Sequence, residues 1–85
     1  MLENLELVIE AILFTAGEPV SIERLQQLLE EPGEGADRLS SKDLRAVLQT
    51  IAERYRDRGI ELVEVASGFR FQARSQLTPW LQKLH

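Results

Sequence analysis

Few side chains in this sequence are of a type and spacing that could do covalent chemistry. The one histidine, His85, is the terminal residue, and no cysteine is present to act as nucleophile, thiolate ligand or half of a disulfide. Gly17, Gly33, Gly35, Gly59 and Gly68 match neither the dinucleotide fingerprint nor the phosphate-loop spacing. Glu30, Glu31, Glu34 and Asp37 cluster around Pro32, Gly33 and Gly35, but without the register of a calcium loop. They read as a solvated acidic loop. No catalytic, cofactor or metal site is predicted, and the chain is read as a binding module with no enzymatic activity.

The chemistry that remains is that of surfaces. One candidate is apolar: Leu7, Ala11 and Phe14, spaced i, i+4, i+7, fall on one side of a helix. A second is Arg70, Gln72 and Arg74, alternating with Phe69, Phe71 and Ala73, so that the polar row stands on one side of a strand and the aromatics on the other. Both sets are candidates for a dimer or partner interface. A third, Lys42, Arg45, Gln49 and Arg56, is a weak candidate for contacts to DNA. Asp43, Glu53 and Asp57 interrupt it, and the sequence pI of about 4.9 is far from the basic footprint of nucleic-acid domains.

The periodicity supplies the elements that must carry these residues. Leu2, Leu5, Val8, Ile9, Ile12, Leu13 and Ala16 predict a helix over 2–16, closed by Gly17 and Pro19. The Leu7–Ala11–Phe14 stripe lies apart from that arc, so the helix is apolar on two faces. Either it is central to the domain or one stripe meets another chain. Pro19-Val20-Ser21 reads as a short extended link, with Ser21 capping a second helix whose inner face is Ile22, Leu25, Leu28 and Leu29. After a loop over residues 31–40, Ser40 or Ser41 caps a third helix that buries Leu44, Val47, Leu48, Ile51 and Tyr55 and ends at Gly59.

From Ile60 the period becomes two. Ile60–Ala66 and Phe69–Arg74 predict a hairpin turning at Ser67-Gly68, with Gly68 in the left-handed region. Phe69, Phe71 and Ala73 are expected to face the third helix near Tyr55. Thr78 and Pro79 then open a last short helix with Trp80, Leu81 and Leu84. The order predicts a mainly α domain with a small β-hairpin wing (α+β), a winged helix-turn-helix, over residues 1–76. Residues 77–85 would begin a further helix or a linker.

Charge is distributed unevenly. Residues 1–36 carry eight acids and one base, and residues 37–85 six acids and nine bases, within a net charge of −4. Such an acidic front and basic back could orient two copies or steer a charged partner. The absence of cysteine, of a long apolar run and of a basic leader makes the cytoplasm the expected compartment, with no membrane.

The run Ile9–Ser21, with its helix-ending Gly17-Glu18-Pro19, resembles the opening of bacterial segregation and condensation protein B. So do Gly59-Ile60-Glu61-Leu62-Val63-Glu64-Val65 near Tyr55, the following Ser67-Gly68-Phe69-Arg70-Phe71, and Trp80-Leu81. The resemblance runs from about residue 5 to the C-terminus and covers only the N-terminal one of that family's two winged helices. It implies a non-enzymatic subunit of the bacterial condensin complex that acts in chromosome condensation and segregation. It further implies homodimerisation, and binding of the kleisin subunit, segregation and condensation protein A, and through it the SMC ATPase, at the nucleoid. A DNA-binding transcriptional regulator domain is the alternative, because helix-turn-helix domains so often read DNA. The acidic pI predicts that a random duplex binds this chain more weakly than about 1 μM at about 150 mM salt. Fluorescence anisotropy checks this, and tighter binding would favour the regulator.

Overall fold

The computed structural model describes residues 4–30 and 39–84. The predicted helix start at Leu2, most of the acidic loop and His85 lie outside them. Helix α1 spans Leu5–Ala16, and Gly17 caps it at φ 76°, a left-handed conformation that favours glycine. Helix α2 spans Ile22–Leu29 and starts as the sequence predicts: the Ser21 hydroxyl accepts a hydrogen bond from the Arg24 amide at 3.0 Å. Helix α3 spans Ser41–Arg54, and the Ser40 hydroxyl accepts from the Asp43 amide at 3.0 Å. The Gln26 side-chain amide donates to the Leu39 carbonyl at 2.8 Å and so ties the approach to α3 onto α2.

Strands β1 (Ile60–Val65) and β2 (Gly68–Ala73) pair antiparallel, with Ile60 opposite Ala73, Leu62 opposite Phe71 and Val65 opposite Gly68. Beyond them lie a 3-10 turn at Ser75–Leu77, a short helix α4 at Thr78–Leu81 and a second 3-10 turn at Gln82–Leu84. This is the winged-helix order. Among the described residues, no helix is long and apolar enough to cross a membrane.

Several local expectations are corrected. Helix α3 ends at Arg54 with Tyr55 as its cap, not at Gly59, because the carbonyls of Tyr55, Arg56 and Arg58 are bonded by a distant side chain, Arg74. The hairpin turns on Ala66-Ser67, and Gly68 already belongs to β2. Its φ of 141° is positive, as required, but extended rather than left-handed helical. Leu28 is 46% exposed, since it lies about 90° around the helix from the centre of the Ile22, Leu25 and Leu29 face. Val8 and Ala16 sit at the exposed margin of the α1 arc, and Thr78 is the first residue of α4 rather than its cap.

The core is formed by Ile9 and Leu13 of α1, Val20 of the link, Ile22, Leu25 and Leu29 of α2, Leu44, Leu48 and Ile51 of α3, and Phe69 of β2. Phe69 enters it because Val20 pairs with the free edge of β2. The Val20 amide donates to the Phe69 carbonyl at 2.9 Å, and the Phe69 amide donates back at 2.8 Å. Gly68 lies directly under this bridge, where an added Cβ would stand 2.4 Å from the Val20 carbonyl carbon and oxygen. Gly68→Ala is therefore expected to destabilise the domain by about 2–3 kcal/mol, from strained backbone and a lost bridge. Urea denaturation followed by circular dichroism measures it.

Candidate functional site

One side of α1 supplies the core; the other is bare. Ile9 and Leu13 are buried, whereas Leu7 is 55% and Phe14 75% exposed, with Ala11 exposed between them. The two-faced helix is thus not wrapped by its own chain. The hairpin adds to the bare side. Glu10, Ala11 and Phe14 share a shallow groove with Tyr55, Ile60 and Phe71, and Leu7 stands at its end. Past Phe14 the depression continues over Pro19 and Arg70.

The groove floor is held by one aromatic pair and one polar contact. The Tyr55 and Phe71 rings lie 5.0 Å apart at a tilt of 56°, a favourable edge-biased geometry. The Tyr55 hydroxyl donates a short hydrogen bond to the Glu10 carboxylate. That bond, together with burial and the Glu10 charge, raises the phenol above its usual value, so Tyr55 stays a neutral donor at ordinary pH. A second tie between the same helices is the Arg54–Glu6 ion pair at 2.5 Å. Residues 45 positions apart make the first contact, so no spacing rule could have found it.

The strand's polar row is only partly free. Arg70 is exposed, and its guanidinium donates to the Gln72 side-chain oxygen at 3.1 and 3.3 Å. Gln72 donates in turn to Glu61 at 3.4 Å. Arg74 departs from the expectation of a free row. It donates to the carbonyls of Arg58 (2.7 Å), Tyr55 (2.8 Å) and Arg56 (3.0 Å) and to the Glu61 carboxylate (3.2 Å). The physical reason is that β2 ends beside the C-terminal turn of α3, where unpaired carbonyls and the helix dipole attract a cation.

The candidate DNA contacts are likewise dispersed. Arg45 makes two bonds to the Glu64 carboxylate, at 3.2 and 3.3 Å, and lies 5.7 Å over the Phe69 ring. The Glu64 hydrogen bond and charge hold its guanidinium above the ordinary value, and this exposed pair ties it to its own wing. Gln49 donates to Glu53 at 3.4 Å. Lys42 in the first turn of α3 and Arg56 in the turn beyond its end are both exposed but stand 14 positions apart. Among the described residues no group of histidine, cysteine or acidic side chains could hold a metal ion.

Compared with known proteins, residues 7–85 match the family model of the segregation and condensation complex subunit ScpB. The chain belongs to the ScpB family. It is 48% identical over 81 residues to the segregation and condensation protein B homolog of Coxiella burnetii, covering 95% of this chain and 37% of that protein. It is 37% identical over 86 residues to the Halalkalibacterium halodurans protein, covering 98% and 40%. The chain thus spans about two-fifths of the length of these curated relatives.

Two crystal structures share the fold. One is the dimer of an ScpB N-terminal domain complexed with an ScpA peptide: TM-score 0.77, 29% identity, 94% of this chain and 93% of that chain covered. The other is ScpB from Mycobacterium tuberculosis: TM-score 0.79, 30% identity, 99% and 50% covered. The mainly helical domain with its hairpin wing is accordingly that of an ScpB N-terminal domain.

The two arginines of β2 and its end should separate cleanly on substitution. Arg74→Ala is expected to cost about 2–4 kcal/mol, because it removes the side-chain donor of the Arg56 and Arg58 carbonyls and the ion pair with Glu61. Arg70→Ala should stay within about 0.5 kcal/mol. Paired chemical denaturation of the two variants checks the assignment.

Proposed function

We propose that this chain is the N-terminal winged-helix unit, residues 1–76 with a following linker helix, of a subunit of the bacterial condensin complex. It acts in chromosome condensation and segregation at the nucleoid and carries no catalytic activity. Two copies pair through the bare side of α1, and the pair binds a kleisin of the ScpA type, which links it to the SMC ATPase. The observation that carries this reading is the exposed Leu7–Ala11–Phe14 stripe continued by Ile60 at the wing, on a fold shared with a domain crystallised as a dimer with an ScpA peptide. An apolar face rimmed by polar groups is what a protein contact needs and what water disfavours.

Arg70 extends the same surface with a free cation beside Phe14 and Pro19, a rim position suited to orienting an acidic partner. The transcriptional-regulator reading is weaker for a specific reason. Arg45 and Gln49, the residues that would read a groove from α3, are held by Glu64 and Glu53 of the chain itself.

Self-association is tested by sedimentation across concentration. A dimer is expected at about 100 μM, where even a micromolar contact is mostly formed. Leu7→Glu should shift the chain to monomer while its circular dichroism spectrum stays native, since Leu7 is outside the core. Calorimetric titration with an ScpA fragment should give heat for the unsubstituted chain. A chain that is monomeric throughout and silent to the fragment would overturn the reading.

A further inference from the structure

The pairing face is not large enough by itself. A specific two-fold contact removes about 800 Å² from each partner. The stripe on α1 offers one leucine, one alanine and one aromatic, and even a fully buried aromatic removes only about 150–250 Å². Ile60 adds little, being 37% exposed. Further apolar surface is required, and the chain carries it elsewhere.

That surface is the C-terminal segment. Trp80 is 66%, Leu81 41% and Leu84 77% exposed, and none of them joins the core. The molecule is long, 51 × 22 × 20 Å, with a radius of gyration of 14.6 Å against about 12 Å expected for a compact chain of this length. The segment leaves the body at Leu77, whose Cδ1 lies 3.2 Å from the Cβ position of Gly59, immediately beside Ile60 at the groove. Helix α4 begins at the next residue. Over residues 75–84 the one charged side chain is Lys83, while Glu10 and Glu18 border the groove and its continuation.

We infer that the C-terminal segment of one copy, anchored by Trp80, seats in the α1–hairpin groove of a second copy, each copy giving one segment and receiving one. The inference rests on the proposed pairing of two copies and specifies how that pair is closed. Exchange of this kind is symmetric and self-limiting, so it ends at two chains. It also places an exposed aromatic, Trp80, against an exposed apolar depression lined by Phe14, Ile60 and Phe71.

Trp80 is the sole tryptophan, so its fluorescence reports the contact directly in the full chain. Its emission should move to shorter wavelength with rising concentration, along the same curve as dimer formation by sedimentation. Trp80→Ala should weaken the dimer at least about tenfold, the loss expected of a buried aromatic anchor. Phe14→Glu, which spoils the groove, and Trp80→Ala, which spoils the segment, should each dimerise at least about tenfold more weakly alone. Mixed, they should form heterodimers, because one intact segment still meets one intact groove.

A dimer whose Trp80 emission stays that of a water-exposed indole overturns the inference and leaves the pairing proposal standing. The groove would then be free for another partner. Blue-shifted emission that does not depend on concentration overturns it in favour of docking within one chain. Heterodimers that never form also overturn it. Monomer at all concentrations removes both the inference and the pairing on which it rests.

Discussion

The wing of this domain depends on a backbone pairing one residue wide. Val20, in the link between α1 and α2, exchanges both of its hydrogen bonds with Phe69. This brings the start of β2 over the helices and places the Phe69 ring in the core cluster that also holds Ile9 and Leu13. Two chain segments nearly fifty residues apart are thereby fixed side by side. Only a glycine fits beneath the junction, because the backbones approach too closely for a Cβ at position 68. A two-stranded hairpin is marginal in water by itself. Here the bridge and the buried phenylalanine attach it to the helices, and the rest of the wing inherits its position.

Once the hairpin is placed, the exposure of α1 follows. Its inner side is covered by α3 and β2, and the outer stripe is left in water with the edge of the wing beside it. Water disfavours such a stripe by about 25 cal/mol for each Å² of apolar surface left uncovered. Covering it with another protein surface, as proposed above, would recover that cost. The polar ties have the complementary role. Tyr55–Glu10 and Arg54–Glu6 hold α1 against the end of α3, which fixes the shape of the groove between stripe and wing. A preorganised surface loses less entropy on binding.

Arg74 illustrates how one side chain can settle several matters at once. By donating to three carbonyls after Arg54 it terminates α3, orients the turn that leads into β1 and withdraws its own charge from the surface. Arg45 does something similar on the other flank of the wing, where it is shared between Glu64 and the Phe69 ring. The basic residues of the chain's second half are therefore partly structural. Arg45, Arg54 and Arg74 act as clamps between elements, whereas Arg70 stands exposed at the edge of the groove with Gln72 as its hydrogen-bond partner.

Periodicity and capping chemistry determined the element order and hence the winged-helix class. Ser21 and Ser40 at helix starts, Gly17 at a helix end, and the switch to alternation at Ile60 are local signals, and each acts within a few residues. The motifs from Ile9 to Ser21 and from Gly59 to Phe71 likewise pointed to the ScpB family without any coordinates. Tertiary structure alone decided which of the two faces of α1 stays bare, where α3 stops, and which arginines are free. Those outcomes depend on Val20 meeting Phe69, on Arg74 meeting the carbonyls of the α3 terminus, and on Tyr55 meeting Glu10. A helical or strand period describes neighbours along one element. It carries no information about which distant group will reach an unpaired carbonyl or an apolar stripe first, and that competition is resolved only when the whole chain packs.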